Sequence, residues 1–100
     1  MEYLYFEFPD ADVDEANQIF SEMDEHRRET RRIELYRTGV CYSYGAERGR
    51  LEALRQEPFP EDLSELCPEG ATAQIISPSG FWEVWSQTQE LPDGLSGIMW

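Results

Sequence analysis

Residues 29–44 read ETRRIELYRTGVCYSY, and this stretch decides the fold of the chain. Polar and apolar residues alternate up to Tyr36, the pattern breaks at Thr38-Gly39, and β-branched and aromatic residues then resume. Such a pattern is typical of a β-hairpin. A two-residue turn would force the β-branched Thr38 to a positive φ, which that residue type resists. The sequence therefore predicts a type I turn over Arg37-Thr38, with Gly39 left-handed in a bulge.

This turn also decides which hairpin side chains share a face of the sheet, because Tyr36 is then paired with Val40. The side expected to face a core contains Ile33, Leu35, Cys41 and Ser43. The opposite side carries Arg32, Glu34, Tyr36, Tyr42 and Tyr44. Tyrosine and arginine are common anchors of protein interfaces, so this second side is a candidate binding surface.

Length and composition limit the class of protein. One hundred residues suit a single domain, and 21 acids against eight arginines, with no lysine, give a net charge of −13. Nucleic acid and anionic membranes are disfavoured as ligands because both are negatively charged. No apolar run approaches the ~18 residues of a membrane span, and the segment Met1–Tyr5 lacks the basic region of a signal peptide. We therefore expect a cytoplasmic protein whose two cysteines, Cys41 and Cys67, are reduced and buried.

The charges are distributed unevenly. Residues 1–26 hold nine acids and no arginine, residues 27–55 hold all eight arginines, and residues 56–100 hold eight acids and no base. Part of this pattern is expected to be internal ion pairing between the hairpin and its flanks. The surplus must face solvent or a cationic partner. The candidate contact acids are Asp10, Asp12, Asp14, Glu15, Glu22, Asp24 and Glu25.

Two segments precede the hairpin. Residues 2–8 place Leu4, Phe6 and Phe8 on one side of an alternating pattern, which predicts a strand. Residues 14–26 alternate as well, but they also fit a helical spacing. That helical spacing links Ala16, Ile19, Phe20 and Met23. From the residues alone, helix and strand both remain open for this segment.

Several spaced motifs follow one another along the chain. They are Ser21-Glu22-Met23-Asp24, Glu29 with residues 31–37 (RRIELYR) and Gly39, Glu57-Pro58-Phe59-Pro60 with Leu63, and Ile76-Ser77 followed by Phe81 and Trp85. Through these motifs residues 2–88 resemble a family of small bacterial proteins catalogued as a domain of unknown function. The resemblance implies a strand over residues 18–24 and no established activity. The chain departs from the family at Arg28, where an aromatic residue is common, and in its added tail.

The C-terminal half is expected to contain two short helices. Pro60–Cys67 begins with acids that suit a helix N-terminus. Ser77 is placed to cap a second helix, with Pro78 in its first turn and an end near Thr88. The apolar stripe of this second helix, expected to pack on the sheet, is Phe81, Val84 and Trp85.

These elements together predict an α+β domain over residues 1–88. It has an antiparallel sheet of about four strands, with two short helices packed on one face. Residues 89–100 form a tail that ends in apolar residues and is expected to dock on the domain. The expected buried core is Leu4, Phe6, Phe8, Ile33, Leu35, Phe81 and Trp85.

The chain offers few groups for catalysis. Its single histidine, His26, lies beside Arg27 and Arg28, whose charges oppose a protonated imidazole. One histidine is too few for a histidine-based metal site, and there is no glycine-rich phosphate loop.

One segment of the chain partly matches the pattern of a calcium-binding loop. Asp10, Asp12 and Asp14 match its beginning, but Glu15 stands where glycine is required and Ser21 where a bidentate glutamate is required. We therefore expect no metal, no cofactor and no enzymatic activity.

A dense acidic surface without catalytic groups favours a protein that binds a basic partner. The leading hypothesis is an immunity protein that neutralises a basic bacterial toxin, most readily a nuclease, by stoichiometric binding. The alternatives are a nucleic-acid mimic from a phage that inhibits a defence complex, and a housekeeping interaction module. The genes that neighbour this one would separate the three hypotheses.

Overall fold

The computed structural model of the chain describes residues 1–48 and 50–89. The strands of this part are β1 (Glu2–Glu7), β2 (Gln18–Met23), β3 (Glu29–Leu35), β4 (Cys41–Gly45) and β5 (Thr72–Ile76). Short 3-10 turns lie at Ala46–Arg48, Leu51–Ala53 and Leu63–Leu66, and α1 is Pro78–Gln89. Of the predicted tail, residues 89–100, Gln89 is the last residue of α1, and the predicted docking of residues 90–100 lies outside the described part.

The five strands form one antiparallel sheet in the order β4-β3-β2-β1-β5. The α+β class is confirmed, but the prediction of about four strands is wrong. The segment Thr72–Ile76 pairs with β1, where Leu4 lies opposite Ile75, so this segment is a fifth strand. This pairing is long-range, so local alternation did not reveal it.

The prediction of two helices is also wrong in the described residues, because Pro60–Cys67 forms only the 3-10 turn Leu63–Leu66. Asp62 caps this turn by accepting a hydrogen bond from Ser64 N at 3.0 Å. Pro68 follows so soon that an α-helix has no room to propagate beyond its nucleus. The second predicted helix is confirmed as α1, and Ser77 Oγ accepts a hydrogen bond from Gly80 N at 3.2 Å.

The central hairpin has the predicted register. Leu35 lies opposite Cys41, and Tyr36 N donates to Val40 O at 3.0 Å. Gly39 closes the turn at φ +90°, a conformation that glycine adopts without steric strain. The ambiguous segment before the hairpin is the strand β2, which pairs with both β1 and β3.

One apolar core lies between the sheet and α1, on the side named here the helix face. Its buried residues are Tyr3, Ile33, Phe81 and Trp85. Phe20, Leu35, Cys41, Ile76 and Val84 pack against them. The predicted stripe of α1 is thus confirmed, since Phe81 and Trp85 are buried and Val84 packs beside them.

A second core occupies the opposite side of the sheet, named here the loop face. There Leu4, Phe6 and Met23 pack against Phe59 from the long connection between β4 and β5. The prediction of one core under helices on one face is therefore wrong. Alternation in residues 2–8 separates Leu4 from Tyr3, and both sides of β1 are covered.

Arginine side chains hold the long connection onto the loop face. Arg27 Nε and Nη2 donate to Phe59 O at 2.9 Å and Pro60 O at 2.6 Å. Arg28 Nη1 donates to Gln56 O at 3.1 Å. The expected pairing of arginines with acidic flanks is therefore only part of their role, because several satisfy backbone carbonyl groups instead.

Candidate partner-binding surface

The loop between β1 and β2 presents four of the predicted contact acids to solvent. Asp10, Asp12, Asp14 and Glu15 are all exposed. The loop is ordered by its own hydrogen bonds, since Asp12 N donates to Glu15 Oε1 at 3.1 Å and Glu15 N to Asp12 O at 3.0 Å. Within the described residues these four carboxylates take part in no ion pair.

The same loop borders a hollow of ≈ 350 Å³, which we call the acidic hollow. Its carboxylates are Asp10, Glu15 and Glu69. Its apolar lining comes from Phe8, Pro9, Ala11, Ala16, Pro68 and Ala71. No arginine is among its described lining residues, and the three carboxylates form no ion pair with a described residue, so the hollow combines apolar walls with a negative rim.

Arg37 joins the hairpin turn to the acidic loop. Its Nε donates to Ala11 O at 3.2 Å, and its Nη2 donates to Pro9 O. These contacts use backbone oxygens, so they fix the loop without neutralising a specific carboxylate. The loop and the turn of the hairpin therefore form one end of the molecule.

The other three predicted contact acids lie in different environments. Glu22 is 1% exposed and accepts hydrogen bonds from Tyr3 Oη at 2.9 Å and Arg31 Nη1 at 2.5 Å, so it belongs to the interior. Asp24 closes the β2–β3 turn by accepting backbone N–H bonds from Arg28 and His26, which lower its pKa. Glu25 is exposed, on the turn and away from the acidic loop.

The predicted tyrosine and arginine side of the hairpin is half-buried on the loop face. Tyr36 Oη and Tyr44 Oη both donate to Glu34 Oε1, at 3.0 and 3.2 Å. Burial, together with the negative charge of Glu34, raises the pKa of Tyr44 to about 12 and raises that of Tyr36 as well. Arg32 lies over the Tyr44 ring, with its Cζ 5.1 Å from the ring centroid.

Tyr42 differs from the other two tyrosines. Its ring meets Tyr36 edge-on at 5.7 Å and stacks on Tyr44 at 6.5 Å between centroids. In the described residues its hydroxyl group has no hydrogen-bond partner. It is thus the tyrosine of this surface whose polar atom is free for another molecule.

Sequence reasoning missed the polar groups beneath the long connection. Glu29 is 7% exposed, and its carboxylate accepts from Ser21 Oγ at 2.7 Å and Arg55 N at 2.8 Å. In the sequence Glu29 is only a motif position of the family resemblance, with no role attached, and nothing links it to Arg55, because the contact joins residues 26 positions apart.

In the described part of the chain, no group of three or more histidine, cysteine, aspartate or glutamate side chains is arranged to hold a metal ion. No helix there is long and apolar enough to cross a membrane.

A family model described as a domain of unknown function matches residues 2–90. The match includes all five strands and α1, and it agrees with the resemblance to a family of unknown function. No curated protein and no solved structure matches the chain. Because this family model covers most of the sequence, the chain belongs to the family described as the domain of unknown function DUF6881.

Proposed function

We propose that this protein acts by stoichiometric binding to a basic protein, and that its partner is a toxin of the nuclease class which it neutralises in the cytoplasm. The carrying observation is the acidic hollow, where exposed, unpaired carboxylates surround an apolar lining. A nuclease is the favoured partner because its nucleic-acid groove is basic. Such a groove is complementary to a chain with a net charge of −13.

The hollow suits a lysine or arginine side chain of the partner. Both residues have an apolar stem and a charged head, and they bury the stem when the head remains solvated or paired. The stem would contact Phe8 and Ala16, and the head would meet Asp10, Glu15 or Glu69. Remaining acids of the loop would act over about a Debye length and speed the encounter.

The tyrosine surface supplies the second contact of the proposal. It lies on the hairpin whose turn residue Arg37 donates to Ala11 O and Pro9 O, so the turn end of this surface adjoins the acidic loop. Tyr42 is the proposed anchor, because its hydroxyl group has no partner among the described residues and its ring is held by Tyr36 and Tyr44.

The partner can be identified by affinity capture. The purified chain is immobilised, a lysate of its native host is passed over it, and the retained proteins are identified by mass spectrometry. We expect a basic protein encoded beside this gene that is toxic when expressed alone. Capture of a nucleic-acid-binding defence complex would support a mimic instead, and capture of an acidic or neutral housekeeping protein would contradict the proposal.

Removal of the loop charges is expected to slow binding to that partner. The variant D10N/D12N/D14N/E15Q should associate roughly tenfold more slowly at low salt and show a flatter salt dependence. Stopped-flow or surface plasmon resonance measurements over a salt series test this. The control E52Q/E57Q/E61Q/E65Q removes four negative charges from exposed residues elsewhere and should have a smaller effect. Equal slowing in both variants would contradict a localised contact.

Truncation of the proposed anchor is expected to act on dissociation. Tyr42→Ala should lose about 2 kcal/mol of binding free energy, about 30-fold in the dissociation rate constant, with little change in association. Circular dichroism and chemical denaturation of the same variant report whether the fold is kept. An unchanged dissociation rate in a folded variant would remove the tyrosine surface from the interface.

A further inference from the structure

A second cavity, of ≈ 210 Å³, lies on the loop face beneath the long connection. Its apolar walls come from Phe6, Phe8 and Ile19 of the sheet side and from Phe59 and Leu66 of the connection. The Phe6 and Phe59 rings are near-parallel, with centroids 6.3 Å apart and an interplanar angle of 19°. The walls therefore offer flat apolar surfaces to a small planar group.

The polar wall of this cavity is built around Glu29. Both carboxylate oxygens of Glu29 are engaged, one by Ser21 Oγ at 2.7 Å and the other by Arg55 N at 2.8 Å. Arg32 Nη1 lies 3.6 Å from Glu29 Oε1. Both oxygens of Glu29 already accept hydrogen bonds, so this side chain is fixed and holds the neighbouring groups of the wall in place.

One arginine of the wall, Arg55, has unused donors. Its Nε is buried and has no hydrogen-bond partner among the described residues. Arg32 is engaged already, because its Nε lies 3.3 Å from Glu34 Oε2 and its Nη2 donates to Ala53 O. Arg55 forms no ion pair with any described residue, although the chain carries 21 acids. A buried donor without an acceptor costs free energy, and so does a charge without a partner.

Arg55 is the positive charge at this cavity that no described carboxylate pairs with, although the protein as a whole has a net charge of −13. The other lining arginine, Arg32, lies near Glu29 and Glu34. We infer that this cavity is a binding site for a small aromatic carboxylate. The carboxylate accepts from Arg55, and the ring lies against Phe6 and Phe59. Phe8 lines both this cavity and the acidic hollow, but the cavity would take an anion, whereas the acidic hollow would take a cation.

The dimensions suit such a ligand. A cavity of ~150 Å³ is enough for benzene, so ≈ 210 Å³ accommodates a ring with a short acid side chain. A guanidinium group matches a carboxylate in shape and charge and donates charge-assisted hydrogen bonds to it.

Phenylacetate and its neutral isostere phenylacetamide test this inference on the full-length protein. In titrations followed by two-dimensional NMR of the ¹⁵N-labelled chain, phenylacetate should shift the amide signals of Ser21, Glu29, Arg55 and Phe59. Phenylacetamide should bind at least about tenfold more weakly, because it loses the charge-assisted bonds. Equal binding of both probes, or no localised shifts at millimolar phenylacetate, would overturn the inference.

A matched pair of variants locates the anion. Arg55→Gln should weaken phenylacetate binding at least about tenfold, and it keeps the backbone N–H that supports Glu29. Arg37→Gln makes the same change at the acidic loop, away from the cavity, and should bind as the unmodified protein does. Binding unaffected by Arg55→Gln would overturn the inference. If Arg55→Gln failed to fold, the comparison of the two probes on the unmodified protein would still decide it.

Discussion

Phe81→Ala is expected to lower the free energy of unfolding by about 3–5 kcal/mol. Phe81 is fully buried on the sheet-facing side of α1, and its ring lies 4.9 Å from that of Tyr3 and 6.1 Å from that of Trp85, between centroids. Truncation removes the apolar surface of the ring and leaves a cavity that these neighbours only partly fill. For a domain of 100 residues this is a large share of the total stability.

Urea denaturation followed by tryptophan fluorescence and circular dichroism measures this loss. Val13→Ala is the control, since Val13 is 67% exposed and its truncation should cost less than about 0.5 kcal/mol. Phe59→Ala removes a ring from the core of the loop face. Its loss of unfolding free energy and that of Phe81→Ala should be additive to within about 0.5 kcal/mol, because the two cores share no partners. A loss below about 1 kcal/mol for Phe81→Ala would contradict the packing described for α1.

Arg31→Met is expected to destabilise the protein by about 3 kcal/mol. Glu22 is 1% exposed, and Arg31 Nη1 donates to its Oε1 at 2.5 Å. Tyr3 Oη and Thr30 Oγ1 also donate to this carboxylate, at 2.9 and 2.7 Å. Without Arg31 the remaining donors leave a buried negative charge uncompensated, which is the costly case for a buried ion pair.

A double-mutant cycle separates this charge effect from the lost packing of Arg31 on Trp82, whose ring centroid is 5.0 Å from Arg31 Cζ. Glu22→Gln in the Arg31→Met background should recover part of the loss, since a neutral amide needs no cation. Glu25→Gln, at an exposed acid two positions beyond the end of β2, should change stability little. If Glu22→Gln further destabilised the Arg31→Met protein, the buried charge of Glu22 would not be the cause of the stability lost in Arg31→Met.

The sequence alone determined the two faces of the hairpin and the start of α1. Alternation in residues 29–44 and the single glycine after Thr38 allowed one turn that strained no residue, so Tyr36 and Cys41 were assigned to opposite faces. Ser77 and Pro78 likewise placed the start of α1, because capping and proline position depend on neighbours in the chain.

The candidate site was only partly predictable. The exposed acids of residues 10–15 followed from a proline-terminated strand and a run of aspartates, both of which are local signals. The hollow beside them did not, since Glu69 and Pro68 reach it from a segment more than 50 positions away. Glu22 was grouped with the surface acids because nothing in its neighbours shows that Arg31 and Tyr3 surround it.

Tertiary structure alone decided where the two cores lie and which charges are buried. Alternation in β1 shows that Tyr3 and Leu4 point to opposite sides, but not that a helix covers one and a loop the other. The covering of each side depends on β5, which joins β1 across more than 60 residues of chain, and on arginines that bind carbonyl oxygens of the connection. Periodicity records which residues share a face, whereas burial depends on what the rest of the chain places over that face.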